Sequence, residues 1–277
     1  MTVFLRPPVA AGTFYDLDVA MLKKQLAACF KIKAKKPKKK VIAAVVPHAG
    51  YVYSGSIAAH VYSSLEKSNY LILGTNHSGF GAMFALMKRG LWKTPLGEVV
   101  IDEDLANKLL AECKLIEYDV MPHETDHSIE VQLPFIQYKF GSDFNFIPIS
   151  VLNEFADETV VENYRIVGKA IGKILKKKKE PWTVLASSDF SHFIPQAEAE
   201  KIDKYAIKSI LKLNESEFVE SVNEKKASIC GYGAIATAIV AAKELGAKKA
   251  ELLKYGTSAD VTEEEQSVVG YASIIFY

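Results

Sequence analysis

Three short apolar runs in this chain each lead into a histidine. Val41–Val46 runs into Pro47-His48, Tyr70–Leu73 into Gly74-Thr75-Asn76-His77, and Trp182–Ala186 into a loop that carries Asp189 and ends in His192. Short β-rich apolar runs bounded by Gly, Pro, Ser and Asn form buried strands. Strands apolar on both faces need helices above and below them, and helical patterns lie between these runs. The expectation is a single α/β domain spanning residues 1–277, with a central, mostly parallel or mixed sheet flanked by helices and an antiparallel edge. In such a sheet ligands bind in the crevice beyond the carboxyl ends of the strands. Three imidazoles delivered to that edge are candidates for one shared site.

The remaining pattern fits this class. Asp16 or Asp18 can cap a helix reaching about Phe30, and Asp102 can open another through Cys113. Met83–Met87 and Glu98–Ile101 are expected as short strands around the turn at Pro95-Leu96-Gly97, followed by a polar loop over Glu117–Asp126. Ser128 is expected to cap Ile129–Phe140. Further on come a strand at Phe144–Val151, a long helix at Glu158–Lys179, and helices within Gln196–Leu213 and Glu215–Glu224. A last helix opens at Gly231-Tyr232-Gly233, and strands at Ala250–Tyr255 and Val268–Phe276 follow.

Composition narrows the function. With 49% hydrophobic and 24% charged residues the chain can fill a large core, and a formal net charge of +1 provides no global field for nucleic acid. The lysine-rich stretch Lys31–Lys40 lacks interleaved aromatics and is expected to be a solvated helix end and loop. Three cysteines make no even disulfide framework, and no apolar run approaches membrane-spanning or signal-peptide length. A cytoplasmic protein without membrane or nucleic-acid partners is expected.

Several motifs fall away. Gly50 and Gly55 have P-loop spacing, but Ser56 and Ile57 stand where that motif needs Lys and Ser or Thr. No Gly-x-Ser-x-Gly elbow and no Cys-x-x-Cys pair occurs. His48 and His77 remain, expected at matching ends of neighbouring parallel strands, whose ends lie about 5 Å apart, so that the two rings can converge on one ion. Together they suit a transition metal, whereas either alone would more often satisfy a loop. Asp189 and His192 share a tight loop, where the carboxylate could orient the imidazole or merely cap the turn. His127 and Glu130, three apart, can face one side of a helical turn. Cys230 precedes a helix N-terminus, which favours thiolate, although a buried inert thiol is the usual alternative and is assigned to Cys29 and Cys113.

These segments together resemble the Memo family (mediator of ErbB2-driven cell motility). The matching stretches are Ala11–Tyr15, Pro47–Tyr51, Leu73–His77, Asp126–Glu130, Ser187–His192 and Ile229–Gly231, continued by Tyr255–Asp260. The resemblance implies a fold similar to the class III extradiol dioxygenases, the LigB-like non-haem iron enzymes. It implies that His48, His77 and Cys230 bind a metal, with Asp189 and His192 lining the pocket, His192 as acid/base, and His127 in the same cluster. Fe(II) is the expected ion, with copper or zinc as alternatives. Cys230 stands where ring-cleaving enzymes supply a carboxylate, so ring cleavage is not inherited with the fold. The function expected is redox chemistry on an aromatic or other small oxidisable molecule, with His192, supported by Asp189, moving protons and His127 counted with them as catalytic. The alternatives are a non-catalytic module and a zinc-type hydrolase. The module would bind a phosphotyrosine peptide or other ligand in the same cleft, where Phe14 matches an aromatic position; the hydrolase would use activated water.

Overall fold

A computed structural model of the protein describes residues 4–34, 37, 39–153 and 157–277. Its twelve strands are β1 (Leu5–Arg6), β2 (Ala43–Val46), β3 (Asn69–Thr75), β4 (Phe84–Leu86), β5 (Leu91–Thr94), β6 (Gly97–Ile101), β7 (Ile116–Tyr118), β8 (Asn145–Val151), β9 (Trp182–Ser187), β10 (His192–Ile194), β11 (Ala250–Thr257) and β12 (Val268–Phe276). They join in one mixed sheet with the order β1-β5-β6-β8-β3-β9-β2-β12-β10. β11 pairs with β12, and β4 pairs with β7 and β8.

The five central strands, β6-β8-β3-β9-β2, run parallel. Every residue of β2 and β9 is buried, as is β3 after Asn69, which is why these segments read as unbroken apolar runs. Antiparallel pairing is confined to the flanks, where β12 meets β2, β10 and β11, β5 meets β6, and β4 meets β8. Helix Tyr51–Ser64 packs on β2, β11 and β12, and helix Tyr232–Glu244 on β2, β3 and β9. The α/β class and mixed sheet expected from the sequence are present.

β9 lies between β2 and β3, so the strands bearing His48 and His77 are not neighbours; the strand bearing Asp189 separates them. His48, His77 and Asp189 each follow the last residue of their strand by two positions, on three consecutive strands. The shared sheet edge therefore exists with a different strand order, and of the three imidazoles expected there His192 does not close β9 but opens the antiparallel strand β10, which pairs with β12.

Local differences have local causes. The Pro95–Gly97 turn joins β5 to β6, so the hairpin partner of Gly97–Ile101 is Leu91–Thr94, not Met83–Met87. The latter supplies β4, which pairs with β8 and β7. The polar stretch Glu117–Asp126 holds the end of β7 and a short helix, Met121–Thr125. Ser128 caps no helix: its hydroxyl is spent on Thr75 and Asp126, and the chain passes through a 3₁₀ turn, Glu130–Gln132, before helix Leu133–Phe140. The long helix stops at Leu175, so Lys176–Lys179 lie beyond it. Asp18 and Asp102 cap helices Val19–Cys29 and Glu103–Glu112 through their side chains, as expected. Lys35, Lys36 and Lys38 of the lysine-rich stretch lie outside the described residues. Among the described residues no helix is long and apolar enough to cross a membrane.

Candidate metal centre and its cleft

The ligand atoms of His48, His77 and Cys230 all lie within 4.8 Å of one another. Cys230 Sγ is 3.1 Å from His48 Nε2, and the two imidazole centroids are 5.1 Å apart. Ligands held at about 2.0–2.3 Å from one ion are separated by comparable distances. Cys230 reaches this point from the turn that opens helix Tyr232–Glu244, far from the histidines in sequence.

Hydrogen bonding determines which nitrogen each ring presents. The Ser187 hydroxyl donates to the Ser128 carbonyl at 2.7 Å and accepts from Gln132 Nε2 at 2.8 Å. Its only proton is thus committed, and His48 Nδ1, 3.0 Å away, must be the donor of that pair. His48 Nε2 is left with a lone pair facing the sulfur. His77 behaves likewise: Nδ1–H donates to Asp126 Oδ2 at 2.7 Å, leaving Nε2 free. Both tautomers are those a metal-binding imidazole needs, each fixed by a partner behind the ring.

A second group, His77, Asp126 and His127, also has ligand-type spacing. Asp126, however, already accepts from His77 Nδ1 and N–H through one oxygen and from Ser128 N–H and Oγ–H through the other. It serves to orient His77. Burial would raise its carboxyl, but these hydrogen bonds and the nearby imidazoles outweigh it and hold the group below the ordinary carboxylate range.

Burial, reinforced by His127 and His77, keeps His48 neutral well below the usual imidazole value. Burial takes His127 down to about 4. The Cys230 thiol is pushed up to about 12 by burial and the nearby Asp189, although the Asp189 N–H donates to Sγ at 3.2 Å. A cation at this point would reverse that balance, because a coordinating thiol is deprotonated outright. Two imidazoles and a sulfur, backed by satisfied partners, fit a borderline or soft transition-metal ion.

Asp189 does not orient His192. Its carboxylate accepts the His48 backbone N–H at 2.8 Å, and burial raises it to about 6. His192 Nδ1–H instead donates to the Ser228 carbonyl at 2.7 Å. His127 is stacked between Phe14 and His77, with centroids 4.0 and 4.7 Å away, facing the cleft. Glu130 points elsewhere, into a fully buried pair with Arg6, so His127 and Glu130 share no site. Cys29 and Cys113 are buried, and burial raises Cys29 to about 11.

A cleft of about 550 Å³ lies over the cluster, bordered by His48, His77, His127, Asp189 and His192. Phe14, Tyr53, Phe193 and Tyr271 form apolar parts of its wall, and the β11–β12 connection contributes Ser258, Thr262, Glu264 and Ser267. Of the supporting residues, Asp126 and Ser187 sit within or beside the histidine motifs. Ser228 and Gln132 carry no sequence signal that would have identified them.

Gly231 maintains the approach of Cys230. A Cβ there would lie 2.7 Å from both the Ser187 carbonyl oxygen and Ser188 Cβ, and 2.8 Å from Thr75 Oγ1. Gly231→Ala is therefore expected to cost about 1–3 kcal/mol, as overpacking does. It should also lower metal occupancy; urea unfolding and elemental analysis on the same preparation test this, and unchanged values in both would refute it.

Comparisons with known proteins were made on sequence and on structure. A family model described as Memo-like protein matches residues 6–275. A MEMO1 family protein of Methanococcoides burtonii is 46% identical over 272 residues, covering 98% of this chain and 99% of its own. A MEMO1 family protein of Methanopyrus kandleri is 40% identical over 283 residues, covering 98% of each chain. The crystal structure of the uncharacterized protein JW3007 from Escherichia coli K12 is similar with a TM-score of 0.54 and 13% identity, covering 85% of this chain and 100% of that one. That last likeness concerns the fold alone.

Proposed function

The chain belongs to the Memo-like protein family, and from that premise we propose that its cleft is a metal-dependent redox site for a small aromatic or otherwise oxidisable molecule. His48, His77 and Cys230 would hold the ion. The observation that carries this reading is the pair of committed tautomers: both rings are pinned through Nδ1, so that two lone pairs and one sulfur converge. Fe(II), or copper, would supply redox reactivity when bound, whereas zinc would supply only Lewis acidity.

The chain's own groups then have separable tasks. His127 and Phe14 form a stacked wall that orients a planar ligand. His192, which lines the cleft, donates Nδ1–H to Ser228, so Nε2 is the nitrogen that would accept the proton of a ligand hydroxyl. Asp189 holds the turn after β2 through the His48 backbone and supports the sulfur with its own N–H, so it positions ligands and leaves proton transfer to His192.

Anaerobic preparation followed by elemental analysis should find iron or copper at the site. Fe(II)-loaded protein should consume oxygen with at least one member of a catechol panel. His192→Ala should retain the metal and lose about 10²–10⁴-fold in turnover, the usual contribution of a positioned acid/base group. A fully Fe(II)-loaded sample that consumes no oxygen with any member would overturn the redox reading.

A further inference from the structure

We propose that Gln132 is a positioning residue for the metal centre: its side-chain amide holds His48 in the tautomer that presents Nε2 to an ion. The proposal rests on the reading of His48 as a metal ligand and adds a residue on which that ligand depends. Gln132 is completely buried in the 3₁₀ turn before helix Leu133–Phe140, and it belongs neither to the ligand cluster nor to the lining of the cleft. Its amide nitrogen donates to the Pro47 carbonyl at 3.0 Å and to Ser187 Oγ at 2.8 Å. A more distant acceptor, the Ser128 carbonyl, lies 3.4 Å from the same nitrogen. On the other side of the amide, Oε1 accepts the Tyr62 hydroxyl at 2.5 Å. A carbonyl cannot donate, so the amide nitrogen must face Pro47 and the amide oxygen must face Tyr62. Tyr62 is itself fully buried, with its ring stacked on Phe135 at a centroid distance of 4.8 Å. The amide therefore has one orientation, clamped between a tyrosine and a backbone carbonyl.

Any buried glutamine needs partners for its polar atoms. What distinguishes this one is that both of its short donated bonds end on groups that hold His48. The Pro47 carbonyl and the His48 N–H belong to one peptide unit, and that N–H donates to Asp189 Oδ1 at 2.8 Å. The unit is thus gripped from both sides. Ser187 Oγ, behind the ring, meets Gln132 Nε2, the Ser128 carbonyl and His48 Nδ1. The Gln132 N–H fills one of these three directions. Of the two that remain, the hydroxyl proton takes the one toward Ser128, because the reverse choice would set a lone pair against that carbonyl. His48 Nδ1–H then meets the free lone pair. With the Gln132 direction vacated, the hydroxyl can rotate to donate to Nδ1 and turn its lone pairs off the Ser128 carbonyl. That moves the imidazole proton to Nε2 and blocks the atom that faces Cys230 Sγ at 3.1 Å. His77 provides an internal reference, because its Nδ1–H is held through a separate bond to Asp126.

The test reads the tautomer directly. The full chain, carrying isotope-labelled histidine and stripped of metal, is measured by long-range proton–nitrogen correlation spectra at mildly alkaline pH, with the six histidines assigned by single substitutions. Wild-type His48 and His77 should both carry the proton on Nδ1. Gln132→Met keeps the length of the side chain and removes its hydrogen bonds. It should lower the Nδ1–H to Nε2–H ratio of His48 about 3–10-fold, as the loss of one hydrogen bond of ordinary net strength does, and leave His77 unchanged. Tyr62→Phe removes only the donor to Oε1 and should shift His48 the same way by less; it carries the test if circular dichroism finds Gln132→Met unfolded. Titration with Fe(II) against a chelator, without oxygen, should show Gln132→Met binding about tenfold more weakly, the low end of the loss when a partner behind a ligand is removed. Tyr62→Phe should lie between it and the wild type. An unshifted His48 in the folded variants, equal shifts in His48 and His77, or unaltered affinity overturns the proposal. Wild-type protein that takes up no Fe(II), copper or zinc would instead sink the metal reading, an outcome the tautomer ratios cannot imitate.

Discussion

Replacing Cys230 with serine is expected to weaken metal binding by at least about 100-fold while the protein stays folded, and His48→Ala and His77→Ala should do the same. The estimate starts from the roughly 10–100-fold typically lost when only an orienting partner behind a ligand is removed. Loss of a ligand itself must cost at least the upper end of that range. Asp126→Asn, which leaves both histidines in place but weakens the bond to His77 Nδ1, should fall within it. His192→Ala should not change affinity, because that ring is tied to Ser228 and stands outside the triad. Competition titrations against a chelator give the affinities, and circular dichroism confirms folding. Equal affinity in the wild type and the three ligand variants would eliminate the centre.

The second large effect lies outside the metal cluster. Glu130 is completely buried and its carboxylate faces the equally buried Arg6 at 2.5 Å. It also accepts the Tyr15 hydroxyl at 2.6 Å and the backbone N–H groups of Val9 and Ala10 at 2.8 and 2.9 Å. Arg6 in turn donates to the carbonyls of His123 and Asp126 and lies 3.9 Å over the Trp92 ring. Glu130→Ala would strand a buried guanidinium and leave several donors without an acceptor. A destabilisation of about 3–5 kcal/mol is expected, the range for breaking a buried pair from one side. Glu130→Gln keeps an acceptor and should cost less. Urea unfolding monitored by tryptophan fluorescence measures both, and a Glu130→Ala cost under about 1 kcal/mol would show that the network carries no such weight.

This network also bears on the site. Arg6 ties the N-terminal segment to the Asp126 carbonyl, and the Asp126 side chain orients His77. Phe14 of the same segment stacks on His127 at the cleft wall. Loss of Glu130 should therefore loosen one side of the metal centre as well as the core.

Much of the fold was legible because its signals are local. β2, β3 and β9 are short apolar runs ended by turn residues, and Asp18 and Asp102 stand directly before the helices they cap. Strand β5 was harder to read: its four residues alternate in burial beside an edge and lack an apolar run. The role assigned to Asp189 illustrates a different limit. It is close to His192 in sequence, yet the strand order directs its carboxylate to the turn after β2, while His192 finds Ser228.

The places of His48 and His77 at the carboxyl ends of buried parallel strands could be read from local stretches of chain, because strand burial and strand ends depend on neighbouring residues, whereas His192 opens the antiparallel strand β10. Tertiary structure alone decided what they would meet. The insertion of β9 between β2 and β3 brings Ser187 to His48 across 139 residues, the fold of the loop after β7 brings Asp126 to His77 across 49, and a helix N-terminus brings Cys230 to His48 across 182. Those pairings follow from strand order and helix docking, which are set by the burial of the whole core and leave no mark on any single stretch of chain.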